Sequence, residues 1–94
     1  MKIEIAAFRP YSKNTLKGFL TIRLPDAGLV LKECTWHEKD GKEWIGFPAR
    51  QFQGADGEKK WANLIEFTEG FDRFGWQDAA VAAVYAHLAA NPQQ

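Results

Sequence analysis

Two histidines and one cysteine, beside twelve acidic side chains, make a thin inventory for acid–base, thiol or metal chemistry. Cys34, His37 and Glu38 are the one place where a thiol, an imidazole and a carboxylate lie close in sequence. They sit in a stretch of strand-like alternation, however, and side chains three apart on a strand point to opposite faces. Cys34, on an apolar face, reads as a small buried hydrophobe. His87 has no acid or nucleophile at a motif spacing. No metal-ligand spacing, phosphate-cradling glycine loop or dinucleotide fingerprint is present. The expectation is a protein that is not an enzyme, with no catalytic residue, no metal and no cofactor.

Basic and aromatic side chains give the stronger signal. Lys17, Phe19 and Arg23 fall on one face of a predicted strand, Arg9, Tyr11 and Lys13 lie just before it, and Arg50, Lys59, Lys60 and Trp61 follow later. Lys and Arg neutralise phosphates and release counterions, while exposed rings stack on bases for about 1–3 kcal/mol each. That combination suits single-stranded DNA or RNA better than a duplex. A competing reading keeps Phe19 and Trp61 in the core, treats the lysines as a solvated face weakened by Glu43 and Glu58, and makes the chain a protein–protein adaptor that uses its open sheet face.

The formal charge is zero, which by itself argues against a generic polyanion binder. Its distribution is uneven. Residues 1–60 carry eleven basic and eight acidic side chains, a surplus of +3, and residues 61–94 carry one and four, a balance of −3.

The elements that must position these residues follow from periodicity. Ile3 and Ile5 alternate with Lys2 and Glu4 in a first strand, Lys2–Phe8, which Pro10 is expected to end. Thr15–Leu24 is a clear second strand with Leu16, Gly18, Leu20, Ile22 and Leu24 on the core side. After the turn Pro25-Asp26-Ala27-Gly28, Leu29–His37 sets Val30, Cys34 and Trp36 inward, with Lys32 out of pattern. A charged hairpin at Asp40-Gly41 leads to a short strand, Glu43–Phe47, that Pro48 stops. Gln51–Glu58 reads as a polar loop and Lys59–Phe67 as a fifth strand.

From Asp72, a plausible N-cap, the spacing turns helical to Ala90, with Phe74, Val81, Val84, Tyr85 and Leu88 on one side. Trp36, Trp44 and Trp76 are assigned to the core or a subunit interface. The tail Asn91–Gln94 is expected to fray. The predicted fold is α+β: a bent antiparallel sheet of about five strands and one long C-terminal helix covering one face. The alanine-rich helix invites a second copy, so a homodimer through it is expected.

Ninety-four residues fit a single domain, 1–94, and 46% hydrophobic with 14% aromatic content indicates an ordered core. A lone cysteine forms no internal disulfide. Glu4 interrupts the place where a signal peptide is apolar, and no run approaches the roughly 20 apolar residues of a membrane span. The expectation is a cytoplasmic protein with no membrane partner.

Leu16-Lys17-Gly18-Phe19, the strand Leu29–Trp36, the stretch Trp44-Ile45-Gly46-Phe47-Pro48-Ala49-Arg50 and the turn Asp56-Gly57-Glu58 together resemble the SpoVG family of small bacterial regulators. There an apolar strand ending in Met-Pro-Ser and a basic residue precedes a similar Asp-Gly turn. Gln77 and Val81 of the helix fit as well, and about half the chain is covered. The resemblance implies a dimeric, cytoplasmic nucleic-acid-binding protein in transcription regulation. The element order is also similar to the single-stranded-DNA-binding transcriptional coactivator fold. The family's Asp-Ile-Ala-His-Pro-Ile strand is replaced by Trp61-Ala62-Asn63-Leu64-Ile65-Glu66, so nothing tied to that segment carries over. Arg73, the helix's one Lys or Arg, lies between Asp72 and Asp78, which argues against groove reading by the helix.

Overall fold

The computed structural model describes residues 1–92 and shows an α+β chain. Strands β1 (Glu4–Lys13), β2 (Leu16–Leu24), β3 (Leu29–Lys39) and β4 (Lys42–Gly46) form an antiparallel meander in sequential order. Strands β5 (Ala49–Gln53) and β6 (Lys59–Asn63) pair only with each other, and helix α1 (Arg73–Ala90) follows. Among the described residues there are thus six strands in two sheets rather than five in one.

Pro48 explains the division. It has no N–H to give to a ladder, so pairing of β4 with β3 ends before it and the chain then pairs with itself. Much of the expected polar loop becomes β5 and the turn that follows, and β6 ends at Asn63 instead of Phe67. At the other end, β1 runs through Pro10, because an edge strand tolerates a residue that cannot donate outward.

Turn chemistry follows the sequence. Asp40 and Gly41 take φ of 53° and 80° in a two-residue hairpin between the paired Lys39 and Lys42, a geometry that matches the twist of the strands. Gly28, at φ 67°, returns its N–H to the Pro25 carbonyl at 3.1 Å.

The alternation of β2 holds: Gly18, Leu20, Ile22 and Leu24 are buried. In β3 it breaks. Leu20 pairs with Cys34 and Ile22 with Leu31, so Lys32 and Glu33 together oppose Thr21, and Glu33 takes a φ of 59°. This bulge shifts the strand's period by one residue. Leu31 goes inward at 9% exposure, and Val30, expected inside, is 51% exposed.

Asp72 caps α1 as expected, its Oδ1 accepting from the Gly75 N–H at 3.0 Å. The buried face is Trp76, Ala80 and Val84, spaced by four, with Val81 and Leu88 partly buried against the same core. Phe74 and Tyr85, predicted on that face, are exposed. Ala80 has no solvent exposure and shares one buried cluster with Leu20, Ile22, Cys34 and Trp36, while the helix backbone comes nearest to β4 and β1. Trp36 and Trp76 are core residues, whereas Trp44 pairs with His37 on the opposite sheet face and is only half-buried.

Gln77 fixes the helix to the sheet edge. Its Oε1 accepts from the Ile45 N–H at 2.7 Å, and its Nε2 donates to the Ile45 carbonyl at 3.0 Å. One amide thereby acts as the next strand for the edge of β4. At the far end, Asn91 returns its N–H to His87 and Leu88; of the tail expected to fray, Gln93 and Gln94 lie outside the described residues. No helix among the described residues is long and apolar enough to cross a membrane.

Replacing Gln77 with Leu leaves both Ile45 groups unpaired at a part-buried contact. We expect a loss of about 1–3 kcal/mol in urea unfolding with an unchanged m-value, and a smaller loss for Gln77→Glu, which keeps the acceptor.

Candidate nucleic-acid interface

The sheet face opposite α1 carries an aromatic and cationic cluster. Arg9 pairs across the strands with Phe19, and its Cζ lies 4.5 Å from the Phe19 ring centroid. The Tyr11 ring is 5.7 Å away, tilted by 52°. Register places Arg9 and Phe19 on this side because their neighbours Phe8 and Leu20 face the core.

The same face continues onto β3 and β4. Thr35 pairs with Phe19, and His37 stacks on Trp44 with ring centroids 5.3 Å apart and an 8° interplanar angle. Two threonine hydroxyls hold the imidazole, Thr15 at Nδ1 and Thr35 at Nε2, each at 2.9 Å. His37 and Trp44 were not expected in the site. The signal was available: each is next in sequence to an inward residue, Trp36 or Ile45.

Among the other predicted residues, Arg23 lies on this face between Glu4 and Val30, and Lys13 pairs with Leu16 at the end of β1. Glu33 borders a small cleft with Arg9 and Phe19. Lys17 does not join them. A register shift between Leu16 and Gly18 turns it to the helix side, where Nζ sits 4.0 Å above the Trp36 ring and 3.5 and 3.8 Å from Glu38 and Glu43. Its sharing a face with Phe19 and Arg23 is corrected by that bulge.

The β5–β6 hairpin holds the remaining four. Pairing of Gln51 with Trp61 and Gln53 with Lys59 puts Trp61 and Lys59 on one side; Arg50, Phe52 and Lys60 occupy the other. Except for half-buried Ala62, every residue of the two strands is exposed. Asp56 and Glu58 sit in the tip, where Asp56 Oδ1 accepts from the Glu58 N–H at 3.1 Å.

The groups that could have done covalent chemistry are engaged elsewhere. Burial, reinforced by nearby Glu33, pushes the Cys34 thiol up to about 11, and its Sγ faces the Leu31 carbonyl. Burial lowers the His37 pKa. Tyr85 donates to Glu43 at 2.6 Å, a bond that, with lesser contributions from burial and from the Glu43 and Glu38 charges, raises its pKa to about 12. Among the described residues no three His, Cys, Asp or Glu side chains are grouped to hold a metal ion.

Comparison with protein-family models, with characterised proteins and with solved structures found no match to this chain. The SpoVG resemblance therefore rests on the residues that suggested it.

Two outcomes follow from the site chemistry. Cys34 should resist Ellman's reagent in the native protein at neutral pH and react fully in denaturant. His37 should titrate below about 6.5 by proton NMR. Since the unfolded chain then binds the proton more readily, the stability from His37 is present above pH about 6.5 and is lost as pH falls toward the folded pKa. His37→Gln should remove that part of the pH dependence in thermal melts.

Proposed function

We propose that this chain is a non-catalytic binder of single-stranded nucleic acid, DNA or RNA, and acts as a cytoplasmic regulator. The observation that carries the reading is the Arg9–Phe19–Tyr11 cluster on the sheet face that α1 leaves uncovered. A guanidinium held over the part-buried Phe19 ring beside the exposed Tyr11 ring offers both a phosphate contact and a stacking surface. The His37–Trp44 stack extends the platform to the neighbouring strands, so successive bases of an unpaired strand have more than one ring to meet. Arg23 on the same face and Arg50 with Lys60 on the arm supply further phosphate contacts. Such a broad, shallow surface favours splayed bases over a duplex, whose rings are already stacked on one another.

Fluorescence anisotropy with labelled single-stranded DNA, single-stranded RNA and duplex DNA at several salt concentrations tests this. Single strands should bind more tightly than duplex, with affinity falling steeply as salt rises. Phe19→Ala should weaken binding by roughly 5- to 150-fold, and Arg23→Ala or Lys60→Ala should each flatten the salt slope by about 0.7. Lys17→Ala should leave that slope unchanged, because its ammonium is already committed to Glu38 and Glu43. Absence of binding to all three at low salt would overturn the proposal and favour a protein ligand on the same face.

A further inference from the structure

We infer that two copies of this chain associate through the β5–β6 arm, with Trp61 of each copy entering an apolar pocket of the other. The arm is exposed on both sides, although an isolated two-stranded ribbon is marginal in water. Trp61 is 68% exposed, and Leu64 at the foot of the arm is exposed as well. The molecule reaches 48 Å in its longest dimension, with a radius of gyration of 14.5 Å against about 12 Å for a compact chain of this length, as a projecting arm requires.

The pocket lies at the end of the core, beside the foot of the arm. It is a depression open to solvent, of about 380 Å³, lined by Leu24, Leu29, Leu31, Phe47, Phe71 and Trp76 among others. That volume is ample for an indole ring, and the walls are almost wholly apolar. Leu29 and Phe71 stand exposed at its mouth.

Charge selects the occupant. The arm carries Arg50, Lys59 and Lys60 against Asp56 and Glu58 in its tip, with Lys59 on the same side as Trp61, while residues 64–72 beside the pocket carry Glu66, Glu69 and Asp72 before Arg73 begins the helix. Glu66 itself lines the pocket. A second copy therefore brings an exposed aromatic flanked by a cation to an apolar cavity flanked by anions. A two-fold axis lets both arms make the same contact. On α1 the outward residues Gly75, Ala79, Ala82 and Ala86 are small, and the exposed rings of Phe74 and Tyr85 flank them. Arg50 and Lys60 face away from the Trp61 side and stay free for phosphate. The inference does not depend on the nucleic-acid reading, and its test contains no nucleic acid.

Sedimentation velocity over a concentration series is the experiment. The unmodified chain should dimerise. Trp61→Ala and Leu29→Glu should each weaken the dimer roughly thirty-fold or more, with an unchanged circular dichroism spectrum. An equimolar mixture of the two variants should recover part of the association, since it pairs one intact arm with one intact pocket. Ala82→Glu should have no effect. A monomer at every concentration, a dimer insensitive to Trp61→Ala, or a dimer dissociated by Ala82→Glu would each overturn the inference. So would a monomer whose pocket takes anilinonaphthalene sulfonate in a manner abolished by Leu29→Glu, which would assign the pocket to a small apolar ligand.

Discussion

Ala80 is fully buried where α1 meets the sheet, and with Trp76 and Val84 it joins Leu20, Ile22, Cys34 and Trp36 in one apolar core. Gln77, one residue further round the helix from Trp76, clamps both polar groups of Ile45 at the sheet edge. These two contacts, one apolar and one polar, decide which face of the meander is core. A four-stranded sheet has two faces and the chain supplies one helix, so the other face stays available. The position of the candidate site follows from that choice.

Side-chain placement on the two faces depends on register, and two bulges reassign it. At Lys32 and Glu33 the extra residue exchanges Val30 for Leu31 in the core. At Lys17 another shift carries a cation from the open face to the helix side, into the company of Glu38, Glu43 and Trp36. Neither bulge leaves a period of its own in a strand pattern. Lys32 out of place among apolar residues marked the first, and nothing in the residues around Lys17 marked the second.

The fold class, the order of elements, the helix start at Asp72 and the hairpin at Asp40-Gly41 were legible in the residues, because each rests on local chemistry: alternation, a capping carboxylate, a Gly that accepts positive φ. The separation of β5 and β6 was not, since Pro48 shows where a ladder stops but not what the chain pairs with next. Arg9 and Tyr11 read from the sequence as a loop beside the strand of Phe19; that stretch is instead the second half of β1, and the ladder sets Arg9 directly opposite Phe19. Residue type alone assigns Trp44 to the core or a subunit interface, whereas its position next to inward-facing Ile45 sets it, with His37, on the open face. The charge asymmetry between the two parts of the chain has a spatial counterpart in the basic arm and the acidic segment after it.

The central claim is that the uncovered sheet face receives an unpaired strand. The most direct measurement is a ¹⁵N–¹H NMR titration of the protein with a short single-stranded oligonucleotide. Binding as proposed shifts the amides of Arg9, Tyr11, Phe19, Thr35, His37 and Trp44 and leaves the outward residues of α1, such as Ala82 and Ala86, in place. Shifts concentrated on α1, with the Phe19 and Trp44 region unmoved, would contradict it.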